Sequence, residues 1–167
     1  MTILYTVQRY EAWENSQKVG YLEGNQKYVD DFLNDSYQWM INQMLKRLSN
    51  YNGEYPIWLW KEEPEKVEIT RYFDKGEFGC LLKVDLDTSQ YLESALEAWD
   101  FVLNKWYLSM TDEEEGCPLE QSWERIFDVD EFPKNPYWWG KINVQCTTGR
   151  IPLEKIELLY TFEGDYN

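Results

Sequence analysis

FGCLLKVDLD, residues Phe78 to Asp87, decides the fold. It is rich in apolar, strand-favouring residues and reads as a β-strand. A short strand is expected just after it, near Gln90 to Leu92. Other extended stretches lie on either side of this one. Ile3 to Gln8 (ILYTVQ) begins a strand with Ile3, Tyr5 and Val7 on one face and Leu4, Thr6 and Gln8 on the other. Tyr55 to Trp60 (YPIWLW) is a short strand with Trp58 and Trp60 sharing a face. Val67 to Tyr72 is read as extended. Gly140 to Thr147 alternates Ile142, Val144 and Cys146 with Asn143, Gln145 and Thr147, the pattern of a half-buried strand. Ile156 to Phe162 supplies the last strand.

Helical periods fall between these strands. Arg9 to Val19 reads as a short helix with Gly20 as its stop. Asn25 to Asn50 is the clearest helix, since Val29, Phe32, Leu33, Tyr37, Met40, Ile41, Met44, Leu45 and Leu48 recur at helical spacing. Ser94–Ala95–Leu96–Glu97 has the form of a capping box and predicts a helix to about Leu108. Pro118 suits a helix start for Pro118 to Phe127. Strands and helices alternate without a βαβ rhythm. The expected fold is α+β, with a mixed or mainly antiparallel sheet packed against two long helices in a single compact domain, residues 1–167.

Composition bounds the function. The 167 residues include nine Trp, thirteen Tyr and seven Phe but no His. The side chain most used for acid–base work near neutrality, and for transition metals, is therefore missing. A Ser–His–Asp or Cys–His system has no base within this chain. There is no P-loop, no G-x-G-x-x-G and no G-x-S-x-G. Cys80, Cys117 and Cys146 are far apart and form no CxxC pair, so they read as reduced thiols. A metal site would have to be all-carboxylate, and no calcium-loop spacing is present. Neither a metal nor a cofactor is expected. The first residues lack a basic region and a long apolar run, so no signal peptide is expected there. No run of 18 apolar residues predicts a membrane span.

Net charge is −15, from sixteen basic and thirty-one acidic residues. Such a chain repels nucleic acid and anionic lipid at long range and attracts a basic protein face. Solvated carboxylates that only aid solubility would look the same. Two candidate sites stand out. Thr6, Gln8, Tyr55, Trp58, Trp60 and Gln145 combine aromatic faces with amides and suit a planar ligand. Their plainer reading is core or edge packing. Trp138 and Trp139, with Tyr137 beside them and with Glu113, Glu114 and Glu115 in the acidic loop, suit a protein partner.

Several motifs together resemble the bacterial family known as domain of unknown function 3841. They are Thr6-Val7-Gln8 with Trp13 and Gly20, Tyr37-x-Trp39-Met40-x-x-Gln43-Met44-x-x-Arg47, Tyr55-Pro56-Ile57-Trp58-x-Trp60, Trp99-x-x-Val102-Leu103-Asn104, Ser122-Trp123-Glu124-x-Ile126-Phe127-Asp128, and Gln145 ahead of Ile156 and Phe162. The chain departs from the family pattern at Ala95, Leu96 and Asp100. The resemblance implies a small cytosolic protein of bacterial or phage origin and no established reaction. The chain's two ends also resemble the outline of ADP-ribosyltransferase-like domains, with Gln145 near the place of a late-strand Glu.

Two functions compete. The first is an acidic, cytoplasmic binding protein, in concrete form an inhibitor that engages a basic, nucleic-acid-handling protein. The alternative is a nucleotide-binding or ADP-ribosyltransferase-like enzyme using an aromatic cleft that joins Gln8, Trp58 and Gln145.

Overall fold

The computed structural model describes residues 1–110 and 116–167. The chain opens with β1 (Thr2–Arg9) and turns directly into α1 (Tyr10–Val19). Gly20 ends that helix at φ 91°, a left-handed position that glycine occupies without strain, and its amide donates to the Ser16 carbonyl at 2.8 Å. A two-residue strand, β2 (Tyr21–Leu22), follows. α2 (Asn34–Arg47), β3 (Ile57–Trp60), α3 (Lys66–Ile69) and β4 (Phe78–Leu86) make up the middle of the chain. β5 (Leu92–Ala95) runs straight into α4 (Leu96–Leu103). The final third holds α5 (Leu119–Ser122), β6 (Val144–Thr148), β7 (Ile151–Pro152) and β8 (Ile156–Glu163).

Six strands form one sheet in the order β5–β6–β3–β1–β4–β8, and every pairing is antiparallel. β1 and β4 pair from Thr2 opposite Leu86 to Arg9 opposite Gly79. Side-chain alternation then gives the sheet two covered faces. On one face Leu4, Ile57, Leu59, Leu82, Val84 and Cys146 pack beneath Tyr10 and Trp13 of α1 and the β2–β7 ribbon. On the other, Trp58 meets Met40 and Met44 of α2, Trp99 and Val102 of α4, and Trp123 and Ile126. Further along that second face, Tyr5, Val7, Leu81 and Tyr160 pack with Ile69 and Phe73. The sheet is the middle layer of three.

The class and the antiparallel sheet agree with the sequence reading. The helices are shorter than expected. Among the described residues α2 is the longest helix, at 14 residues; α4 has 8. Asn25 accepts from the Lys27 amide and closes a single 3-10 turn, and Asp31–Leu33 forms another, so residues ahead of Asn34 turn locally and Phe32 is left exposed. α4 starts one residue late, with Ala95 as its cap, because Ser94 belongs to β5. Pairing with Gln145 across the ladder displaces the local cap. Glu97 serves the adjoining chain instead, accepting from the backbone amide and side-chain amide of Asn143 at 2.6 and 2.9 Å. Residues 67–72, expected as extended, are helical: Ile69 and Phe73 bury at a spacing of one turn while Val67 and Tyr72 stay exposed.

Candidate functional site

The sheet divides the six residues expected to line one pocket. Thr6 and Gln8 share a face with Leu4, Cys80 and Leu82. Trp58, Trp60 and Gln145 project from the opposite face. Thr6 is fully buried, and its hydroxyl donates to the Trp58 carbonyl at 2.7 Å. Gln8 Nε2 donates to Thr6 Oγ1 at 2.9 Å. The cleft that would join Gln8 to Trp58 and Gln145 is not assembled, because a β-sheet stands between them. The alternative reading of an aromatic cleft places those groups on one side.

Tyr55 and Trp58 take part in packing. Tyr55 stacks on Tyr37 with centroids 5.3 Å apart, and its hydroxyl donates to Asn34 Oδ1 at 3.2 Å. Trp58 lies 5.2 Å from Trp99 and meets the edge of Tyr37 at 6.1 Å. Burial pushes the Tyr37 phenol above its usual range, against a hydrogen bond with Trp58 that pulls it down.

Strand register reveals an arrangement that sequence reasoning missed. Ser94, Gln145, Trp60, Tyr5, Lys83 and Glu157 stand directly opposite one another, one from each strand, in a row across the second face. Ser94 and Gln145 are buried, and Gln145 Nε2 donates to Ser94 Oγ at 3.2 Å. Trp60, Tyr5 and Lys83 are half-buried. Lys83 Nζ lies 4.0 Å from Glu157 at the sheet margin. On the same face, one row along, Asp85 Oδ1 is buried without a hydrogen-bond partner. No single segment carries this row. Only the pairing of six segments could have disclosed it.

A second feature lies on the surface. Trp139 is 89% exposed, Tyr137 52% and Trp106 57%. Trp106 packs edge-on to Phe101 at 5.9 Å, Phe101 lies 5.8 Å from Trp138, and Trp138 lies 4.7 Å from Phe132 of the core. Exposed Trp106 thus ends a cluster of rings rooted in the interior, while Tyr137 and Trp139 flank Trp138 in the chain. The Trp138 indole Nε1 is buried and has no acceptor. Glu113, Glu114 and Glu115 lie outside the described residues.

Ion pairs occupy many of the cations. Arg9 pairs with Glu77, Lys61 with Glu93, Arg150 with Glu23 at 3.0 Å, and Lys105 with Asp35 at 3.5 Å. A hydrogen bond from Arg9, helped by the Asp74 amide, holds the Glu77 carboxyl below its usual range. Hydrogen bonding from Tyr28, then the charge of Lys27, does the same for Glu11. Exposed pairs of this kind add little to stability. Their larger effect is on the surface field, which is left to the excess carboxylates.

Glu11, Lys18, Tyr21, Glu23 and Tyr28 line a polar cavity of about 530 Å³ between α1 and residues 21–28. Among the described residues, no three Cys, Asp or Glu side chains gather closely enough to hold a metal ion. None of the described helices is long and apolar enough to cross a membrane.

A family model described as a domain of unknown function, DUF3841, matches residues 3–117. The chain belongs to the DUF3841 family. The DUF3841 match runs from β1 past α4 and stops before β6. Yet β6 lies between β3 and β5 in the sheet, and it is the strand through which β5 joins that sheet. The DUF3841 segment therefore needs the last third of this chain to close its sheet. The Ser122–Asp128 motif and Gln145 lie beyond the match. No curated protein and no solved structure matches the chain.

Proposed function

We propose that this DUF3841 chain is an acidic protein-binding module that docks on a basic face of a partner. The observation that carries the reading is Trp139, 89% exposed and next in the chain to Trp138, with Trp106 57% exposed at the end of the Trp106–Phe101–Trp138 ring cluster. Trp39, Trp99 and Trp123 are all 7% exposed or less, so the fold has the means to bury indoles and leaves this one out. Exposed aromatic patches mark interaction sites, and Trp and Tyr are common anchors there. Net charge of −15 selects a basic partner, and lysine or arginine on that partner can stack on the exposed rings. In concrete form the module is a cytosolic inhibitor, of bacterial or phage origin, whose carboxylates occupy a groove that otherwise takes phosphates.

The test is purification of the bound partner from the encoding cells, followed by calorimetry at low and high salt. Trp139→Ala should weaken binding about 30-fold, the value of a hot-spot residue near 2 kcal/mol. Added salt should weaken it further. An acidic partner, or an affinity indifferent to both Trp139→Ala and salt, refutes the proposal.

A second reading draws on the row across the sheet. Trp60 and Tyr5 offer half-buried rings, Lys83 a half-buried cation and Asp85 an unpartnered oxygen, a set that suits a nucleotide, while the Gln145 amide is already held by Ser94. A nucleotide at 100 times its Kd would stabilise the fold by about 2.7 kcal/mol. A thermal-shift screen with no response to any nucleotide removes this reading.

A further inference from the structure

The sheet ends at β8, and among the described residues no strand pairs with its outer edge. Unpaired N–H and C=O groups on such an edge template another strand, and proteins usually blunt the edge with lysine, proline, short length or a bulge. β8 has 8 residues and contains neither Lys nor Pro. It carries a bulge opposite Leu81 and Leu82, and carboxylates near its two ends, Glu157 and Glu163. At the other edge, β5 has 4 residues and passes at once into α4. Among the described residues β8 is the longer unpaired edge, interrupted by a single bulge.

The carboxylates discriminate between occupants. A second copy pairing antiparallel about Tyr160 would set Glu157 opposite Glu163. The bulge puts those two side chains on opposite faces, so they do not meet across such a ladder, but two chains of net −15 repel before contact. A strand bearing Lys or Arg near both ends meets the same positions with opposite charge. The bulge adds a detail. Glu157 stands opposite Lys83 and Glu163 opposite Phe78, odd and even positions of β4, so the two carboxylates lie on opposite faces of the sheet. Glu157 remains 68% exposed beside Lys83 and is open to a second cation.

We infer that β8 accepts an extended basic segment of a partner protein by strand addition, with Glu157 and Glu163 selecting lysine or arginine near the two ends of that segment. This rests on the reading of the chain as a module for basic partners and names how one part of the partner is held.

The test uses the isotope-labelled full chain and two blocked octapeptides of alternating Val and Thr. One carries Lys at its second and seventh positions and the other carries Glu there. At low ionic strength the Lys peptide should slow hydrogen exchange of the β8 amides, and the Glu peptide should bind at least about tenfold more weakly. The double variant Glu157→Gln/Glu163→Gln should weaken the Lys peptide about tenfold with an unchanged melting temperature. Equal affinity for both peptides, absence of binding, or protection elsewhere than β8 overturns the inference. So does a dimer, seen by sedimentation, whose β8 amides are protected without peptide. Trp139→Ala should leave the peptide titration unchanged. A partner lost through Trp139 without peptide binding at β8 therefore refutes the edge alone. Peptide bound at β8 with a partner indifferent to Trp139 refutes the Trp139 contact alone.

Discussion

Trp99 and Trp139 should behave as opposites when each is truncated to Ala. Trp99 is 4% exposed and lies 5.2 Å from Trp58 and 5.8 Å from Tyr37. A buried indole hides up to about 250 Å², which at roughly 25 cal/mol per Å² is about 6 kcal/mol of transfer free energy. Partial collapse of the site recovers some of that, so Trp99→Ala should destabilise by about 3–5 kcal/mol. For a chain of this size that lowers Tm by roughly 6–20 °C. Trp139 is 89% exposed, so only about a tenth of that area is hidden and Trp139→Ala should change stability by roughly 0.6 kcal/mol or less. Urea melts followed by far-UV circular dichroism measure both values. Fluorescence adds an independent sign: removing a water-exposed indole should move the average emission to the blue, while removing Trp99 should not. A loss above about 1.5 kcal/mol for Trp139→Ala would show that this ring is packed in solution, and the Trp139 contact would fall with it.

Gly24 and Gly20 should tolerate Asn differently. A Cβ on Gly24 would stand 2.4 Å from the Pro56 carbonyl oxygen and 2.6 Å from that of Tyr55, so backbone must move and Gly24→Asn should cost about 1–3 kcal/mol, read by urea melts. Gly20, at φ +91° with open space around it, should accept Asn at under about 1 kcal/mol in the same assay. Burial pushes the Cys80 and Cys146 thiols up to about 12. Above about pH 8.5 these thiols ionise in the unfolded chain but stay protonated in the folded one, so stability should fall with rising pH by up to about 1.4 kcal/mol per unit for each thiol. Urea melts from pH 8 to pH 10 check the slope, which should flatten in Cys146→Ala. Trp138→Phe removes an indole N–H that is buried without an acceptor, so chemical denaturation should show a loss well below the 3–5 kcal/mol or so typical of aromatic truncation.

Strand positions were legible because alternation is a local signal. Ile3 to Gln8 shows it within one segment, Phe78 to Asp87 is rich in strand-favouring residues, and these stretches and Ile156 to Phe162 fall in strands. The Gly20 stop was legible for the same reason, since a left-handed position demands glycine or a close substitute. Ser94 shows where local signals fail. Its spacing to Glu97 has the form of a cap, but the ladder partner Gln145, 51 residues away, holds Ser94 in a strand. Residues 67–72 failed likewise, because burial of Ile69 and Phe73 against the sheet chose a helical turn over an extended one.

Charge, the missing His, the aromatic load and the class of fold are properties of composition and local pattern, so the chain carries them before it folds. Which side of the sheet each strand residue faces relative to another strand is set by register. Register depends on long-range pairing that no local segment encodes. That is why Gln8 and Gln145, alike in sequence context, end on opposite faces, and why the Ser94–Gln145–Trp60–Tyr5–Lys83–Glu157 row and the open β8 edge exist only in the folded molecule.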